Sequence, residues 1–413
     1  MESVQQSSDD TSVQTVQFPG ARDSRCPFNP PPHLSPTQAS RRPAKARTWD
    51  GAEPWLITQH ELACTALRDQ SFSSDPRNQG WAEKSASFSA TMGADRNLRT
   101  MDNPEHAAQR RMLAPEFTIG RISQMRSSIE ALVDRHINAM LHTGGTVDLV
   151  EAYTLPVPLL VLCELMGIPE SDSPLLAAIS EETIGDNSYE VAAEAGQRLS
   201  NYIREFISHR DRIPDGSLVA RLLDQHVSTG NMTEDELVDL MRLFIVAGHE
   251  TTANQLGLSF LALLSDPDLM EEMRRAVAEG YLANAVEELL RFMSVSHLGR
   301  RRVAVADTSI GDQVIRAGEP IIVANSTADR DPAVYENPDV IDFTRPNAKR
   351  HLAFGFGVHQ CLGQHLSRLE LAVAIPRLLE RVPGLRLAVS PDEVVFKENH
   401  AVYGVRSLPV TWS

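Results

Sequence analysis

Phe354-Gly-Phe-Gly357-Val-His359-Gln-Cys361-Leu-Gly363 is the stretch on which the fold of this 413-residue chain turns. Cys361 is one of four cysteines, and Gly355, Gly357 and Gly363 surround it. Glycine admits positive φ and lets backbone approach a flat ligand closely. The next residues, Gln364-His-Leu-Ser-Arg-Leu-Glu-Leu-Ala-Val-Ala, carry apolar side chains at helical spacing. Cys361 is therefore expected on a tight loop feeding a helix N-terminus, where orphan N–H groups and the helix dipole favour an anion. A thiol so placed is predicted to be held as thiolate, the metal-binding form. With no second cysteine nearby, a zinc site is excluded. A single thiolate suits the axial position of a haem, where it pushes electron density toward O–O cleavage.

Working outward, Thr233 and Glu236 form a capping-box pattern that opens a long helix. The apolar pattern runs to Ser265, where Asp266-Pro267 stops it, giving a length of roughly 45–50 Å. From Leu243 this helix is apolar on most sides, so a glutamate within Ala247-Gly248-His249-Glu250-Thr251-Thr252 is anomalous. A buried acid needs hydrogen bonds or water. Gly248 weakens the helix locally, and Thr251 or Thr252 can bond back to a carbonyl one turn earlier, opening a small groove. Upstream, Pro104 suits the first turn of a helix with Asp102 or Asn103 as cap, and His106 and Arg110 then share a face. Downstream, Glu288 and Arg291 lie three apart on one helical face. Arg300-Arg301-Arg302 precedes a β-rich run through Val323, with turns at Gly311 and Ala317-Gly318.

Composition narrows the class. The net charge of −16 argues against nucleic-acid binding, which needs a basic footprint. Widely spaced cysteines at 26, 64, 163 and 361 suggest a reducing cytosol rather than a disulfide framework. The N-terminal residues lack the basic and apolar regions of a signal peptide. No membrane anchor is expected, because the longest apolar run, Leu155 to Ile168, is interrupted by Pro156, Pro158 and Glu164. Residues 1–25, rich in Ser, Gln and Asp, read as a disordered arm, and 26–413 as one domain. Trp55-Leu-Ile-Thr reads as a strand, Leu62–Arg68 as a helix and Ser73–Ala94 as a long loop. The stretch from about 121 to 230 is helical in pattern, broken near Gly144-Gly145, Pro156, Pro169 and Pro214.

The Cys361 stretch resembles the haem-ligand signature of the cytochrome P450 family, Phe-x-x-Gly-x-x-x-Cys-x-Gly, with Phe354, Gly357, Cys361 and Gly363 in place. The resemblance covers about residues 26–413. It implies a mainly α fold with a small β-rich region, and haem b between the long central helix and the Cys361 loop. Ala247-Gly248-His249-Glu250-Thr251 resembles the family's Ala/Gly-Gly-x-Asp/Glu-Thr motif, which makes Glu250 and Thr251 the acid–alcohol pair that delivers protons. Thr252 is the weaker candidate, and His249 either faces the pocket or packs elsewhere. By the same resemblance His106, Arg110, Arg302 and His359 meet the haem propionates, with Arg300 and Arg301 solvated. Glu288 and Arg291 match Glu-x-x-Arg, whose buried pair meets a later arginine, here Arg345, and braces the cysteine loop. The proline that follows this motif in many members is missing, Met293-Ser-Val-Ser-His-Leu298 standing instead. Ala247, Val295, Leu298 and Val402 are expected to line the substrate pocket, with residues 73–94 as its roof and Asn399-His-Ala-Val-Tyr-Gly404 as a hairpin reaching into it.

The implied reaction inserts one atom of O2 into a C–H or C=C bond of a lipophilic small molecule. Electrons come from a separate ferredoxin or flavodoxin and its reductase, docking on the Cys361 side. Cys26-Pro-Phe-Asn-Pro-Pro-Pro, Asp50-Gly-x-x-x-Trp55-Leu and Ser71-Phe-Ser-Ser-Asp75 resemble actinomycete members that hydroxylate drugs, macrolides and other secondary metabolites. Two rival readings differ at defined points. The fungal nitric oxide reductases, relatives of that group, lack the acid–alcohol pair that is intact here. A non-catalytic haem sensor or carrier would need neither that pair nor a roofed pocket.

Overall fold

The computed structural model describes residues 15–23, 25–85, 96–185, 187–398 and 400–412. Its axis is the helix Glu234–Ser265, opened by the capping box: Thr233 accepts from the Glu236 N–H, and the Glu236 side chain accepts from the Thr233 N–H. Asp266 ends it and at once caps the helix Pro267–Glu279, accepting from the N–H groups of Asp268 and Leu269. The central helix is buried along most of its length. Around it pack Pro156–Met166, Ser173–Ile184, Tyr189–Ser208 and Gln364–Arg381. Pro156–Met166 is buried nearly all round, which accounts for its apolar sequence. Pro156 starts this helix rather than breaking it, because a first-turn residue has no N–H bond to lose. Each leucine buried here contributes roughly 1.5–3 kcal/mol.

The β-rich part is a six-stranded sheet. Thr15–Gln17 pairs parallel with Ala44–Arg47, which pairs antiparallel with Trp55–Ile57. Trp55–Ile57 lies parallel to Pro320–Val323, which pairs antiparallel with Arg300–Ala304, and Phe72–Ser73 closes the edge. In this register Arg300 opposes Val323 and Arg302 opposes Ile321, so the two share one face and Arg301 takes the other. A second sheet joins Arg386–Leu387, Pro409–Thr411 and Val147–Asp148, and a hairpin turns at Gly311 between Thr308–Ile310 and Gln313–Ile315.

The arm expected over residues 1–25 is shorter than that. Thr15–Gln17 is a strand, and Phe18 is buried among Leu34, Ala46, Leu56 and Ile322, which supplies the apolar contact that holds it. Residues 1–14 lie outside the described residues, as do 86–95 of the expected roof and Asn399 of the hairpin. The helix expected from Leu62 spans His60–Arg68. Asp102 does not cap the helix Glu105–Leu113: its carboxylate accepts from the Ser74 N–H at 2.9 Å and from the Ser73 hydroxyl, fixing the start of the roof segment, and Asn103 makes no cap bond either. Among the described residues, no helix is long and apolar enough to cross a membrane.

Candidate functional site

Two glycines of the Cys361 loop take left-handed backbone, Gly355 at φ +70° and Gly357 at φ +73°. A Cβ on Gly357 would lie 2.5 Å from the Leu67 carbonyl, and one on Gly355 would lie 2.9 Å from Arg300 Nε. The loop closes where the Cys361 N–H donates to the Phe354 carbonyl at 2.8 Å. Gly363 then opens the helix Gln364–Arg381. Cys361 lies deep in the chain yet keeps part of its surface open. Burial pushes its thiol up, although Arg300, the Gly363 N–H, Arg110 and Arg368 all pull the other way. The thiolate expected from the helix N-terminus is thus not held by that terminus alone. Desolvation wins until a cation binds the sulfur.

Two adjacent glutamates stand behind this loop. Glu288 receives Arg291 Nε and Nη2, each at 2.7 Å, Arg345 Nε at 3.0 Å and the Asp342 N–H at 3.0 Å. The remaining Arg291 and Arg345 donors reach carbonyls of Asp329, Pro338, Val340 and Glu336. All three charged side chains are buried and saturated with partners, the condition under which buried ions are tolerated. Glu287 was not singled out in the sequence. It takes Arg368 Nε at 2.6 Å and His351 Nε2 at 2.9 Å. Arg368 and His351 both pack on the Phe354 ring, so this second cluster grips the loop directly. Burial works to raise the Glu287 carboxyl, but His351 and Arg368 outweigh it and hold it at about 2.

Beside Cys361 the chain gathers basic side chains, with Asp102 the acid whose charge reaches His106 and Arg302. His106 and His359 stand ring to ring at 4.2 Å, and Arg110, Arg300 and Arg302 lie around them. The structure corrects the expectation that Arg300 and Arg301 are solvated. Arg300 lies in the interior against Gly355 and donates to the Ala353 carbonyl at 3.0 Å; Arg301 is buried on the opposite face, donating to Leu298 and stacking on Phe18. Among the described residues no carboxylate is bonded to His106, Arg110, Arg300, Arg302 or His359. Both ring nitrogens of His106 and Nε of Arg300 are buried without a partner. Buried donors are normally paired. Burial and the neighbouring arginines push His106 down to about 4 and Arg302 down to about 10, against the opposing charge of Asp102.

On the central helix Ala247 is exposed and Gly248 and Thr251 half-exposed, in the middle of an otherwise buried helix. They sit one turn apart and open one face. Thr252, on the next face, touches Ser367 at 3.4 Å, six residues past Cys361, which sets the open face against the cysteine loop. Thr251 Oγ1 donates to the Ala247 carbonyl at 2.6 Å, the back-bond expected of one of the two threonines. Gly248 opens no groove of its own: Leu162 of the neighbouring helix fills its place, 3.0 Å from where a Cβ would stand. His249 packs away from the open face, its Nε2 bonded to the Leu155 carbonyl at 3.1 Å.

Glu250 is buried and turned from Thr251. Its Oε2 accepts from Asn254 Nδ2 at 2.8 Å and meets Lys397 Nζ at 3.3 Å. Burial alone would raise this carboxyl, but the charges of Lys397 and His249 and the bonds from Asn254 and Lys397 bring it below its ordinary value. Lys397 carries no signal in the sequence, because the contact spans 147 residues. It arrives on the C-terminal hairpin, where Phe396 pairs with Val405 and the Lys397 N–H donates to the Gly404 carbonyl at 2.8 Å. The hairpin is tied to the loop after Met293: Tyr403 N–H bonds the Val295 carbonyl at 2.9 Å and His297 Nε2 the His400 carbonyl at 2.7 Å. Val295 and Val402 are half-buried and Leu298 is buried. Glu370, on the helix after Cys361, is buried with one oxygen unpaired, and burial holds its carboxyl far above the ordinary range.

A metal for the lone sulfur, carboxylates for the basic side chains with unpartnered buried nitrogens and a flat body against the open helix face are the features of a haem, and the residues present fit one. The site thus has the features of a haem protein with one cysteine at hand for the iron. Comparison with known proteins makes this specific. A cytochrome P450 family model matches residues 174–393. Cytochrome P450 GfsF of Streptomyces halstedii is 39% identical over 98% of each chain, and its crystal structure superposes with a TM-score of 0.90, covering 96% of this chain and all of that one. The vitamin D3 dihydroxylase of Streptomyces griseolus is 38% identical over 97% of this chain and 99% of its own. The crystal structure of CYP105P1 in complex with filipin I has a TM-score of 0.88 at 34% identity, over 97% and 99% of the two chains. The chain belongs to the cytochrome P450 family. It is a haem-iron monooxygenase that works on lipophilic substrates with electrons from redox partners.

Proposed function

We propose that this enzyme hydroxylates or epoxidises a lipophilic secondary metabolite or xenobiotic, using haem b and electrons from a ferredoxin or flavodoxin with its reductase, in the cytoplasm. The observation that carries the reading is the basic cluster of His106, Arg110, Arg300, Arg302 and His359 beside Cys361, bonded to no carboxylate among the described residues, with both ring nitrogens of His106 and Nε of Arg300 buried and unpartnered. Vitamin D3 and filipin I, named with two of the relatives, are lipophilic, which supports the substrate class. The free cysteines suit a reducing compartment.

When bound, the haem supplies the chemistry that activates dioxygen. The chain's own parts are these. Cys361 ligates the iron, with Phe354, Gly357 and Gly363 shaping its loop. Arg110, Arg302 and His106, with His359, hold the propionates by charge-assisted hydrogen bonds, and Arg300 joins them. Glu288, Arg291 and Arg345 lock the segment before the loop. Ala247, Val295, Leu298 and Val402 present apolar surface to the substrate. Thr251 places its hydroxyl oxygen on the open face and can pass a proton once its bond to the Ala247 carbonyl opens, and Glu250 resupplies it through water. Neighbouring residues on a helix point about 100° apart, so the two side chains do not touch and a bridging water or a swing of Glu250 is part of the relay. The intact Glu250–Thr251 pair favours oxygen insertion over nitric oxide reduction or passive haem carriage. Titration of the holoenzyme with a panel of lipophilic natural products tests the reading. A low- to high-spin shift of the haem spectrum followed by an oxygenated product is expected. NADH-driven consumption of nitric oxide with no oxygenated product would overturn it.

A further inference from the structure

The C-terminal hairpin has a place in this chemistry beyond contact with substrate. Lys397 and Glu250 form an ion pair at 3.3 Å with both side chains buried. Asn254 completes the grip, donating to the Glu250 carbonyl at 2.7 Å and to Oε2 at 2.8 Å. The geometry of the hairpin is fitted to this task. A Cβ on Gly404 would overlap the Asn254 amide, and one on Gly257 would come within 3.1 Å of Val405 Cγ2. The hairpin therefore lies flush on the central helix, and the Lys397 N–H bonded to Gly404 fixes where the ammonium reaches. A buried lysine and a buried glutamate placed this way are costly apart and stable only together.

The geometry points to Lys397 as the positioning residue for Glu250: it holds the carboxylate off the Thr251 face and sets when that carboxylate can pass a proton. The inference rests on the relay role of Glu250 proposed above. The other charged groups around the carboxylate are His249 on the same helix and Glu181 on Ser173–Ile184, itself influenced by Lys397 and Arg406. Glu181 is exposed, and burial with the charge of Glu250 raises its carboxyl. Without Lys397, burial dominates the Glu250 carboxyl and Glu181 adds repulsion, so its titration moves upward.

Infrared difference titration of the holoenzyme tests this without turnover. Lys397→Met is expected to bring up a protonated-carboxyl band that titrates about 1–3 pH units above its wild-type position, the shift set by loss of one close counter-charge. The band should vanish in Lys397→Met/Glu250→Gln, and Lys397→Arg should return it toward wild type. In parallel, peroxide released per NADPH, driven by a plant-type ferredoxin and its reductase, should change in Lys397→Met but not further in the double variant. If Glu250→Gln alone leaves peroxide release and turnover unchanged, the relay reading itself fails. If Glu250→Gln matters but Lys397→Met shows neither the band nor altered peroxide release, the Lys397 assignment alone is overturned.

Discussion

The two sides of the haem site are built on opposite plans. Behind Cys361, Glu288 and Glu287 each hold two basic partners, and the donors of Arg291 and Arg345 not spent on Glu288 end on backbone carbonyls. Opposite, one acid is held by one lysine and one amide, and its neighbouring face is left open. Redundant buried charge makes a structure that has one arrangement. A single buried pair beside an opening leaves a carboxylate that can be released. On the function proposed above, the cysteine side is built to stay and the threonine side to move protons.

The contrast breaks first where redundancy is greatest. Arg291→Leu strands Glu288 with only Arg345 in the interior, and removal of one partner from a buried network costs about 3–5 kcal/mol. The expected outcome is expression without haem or a collapse of the thermal midpoint, read by the haem-to-protein absorbance ratio and calorimetry. Normal haem content would mean that the cluster does not brace the loop. Thr251→Ala, on the open side, should do the reverse: stability within about 0.5 kcal/mol of wild type, but product formation down by about 10²-fold with electrons diverted to peroxide. Product yield and coupling are measured against NADPH consumed. Unchanged coupling would remove Thr251 from the relay.

The smallest effect is the acid dependence of the bracing. Glu287 sits at about 2 in the fold against an ordinary 4.5, so the ionised form is favoured by folding. Its contribution is fully present above about pH 4.5 and is lost as pH falls toward 2. Thermal midpoints measured across that window should fall more steeply for wild type than for Glu287→Gln. Parallel curves would assign the acid loss elsewhere.

Local signals carried much of this into the sequence. The central helix was legible to its last residue because its cap, apolar run and stop are all contiguous. The cysteine loop was legible because the backbone there demands glycine at set positions, and Glu288, Arg291 and Arg345 came from a motif. What the sequence concealed depends on distance and on alternation. Arg300 and Arg301 looked like solvated neighbours of Arg302, yet a strand sends them to opposite faces and both faces are covered. Glu287 stood unread beside Glu288, because residues adjacent on a helix serve different neighbours. Lys397 meets Glu250 only through tertiary packing. The helix N-terminus at Cys361 is visible in the sequence, whereas the depth of burial that pushes the free thiol up is not.

The central claim is that Cys361 is the sole protein ligand that gives this haem its character, and the spectrum of the reduced enzyme under carbon monoxide tests it most directly. Wild type should show the red-shifted Soret band of a thiolate-ligated haem, and Cys361→His, with its loop braced as before, should bind haem and lose that band entirely. A thiolate-type band that survives in Cys361→His would contradict the account.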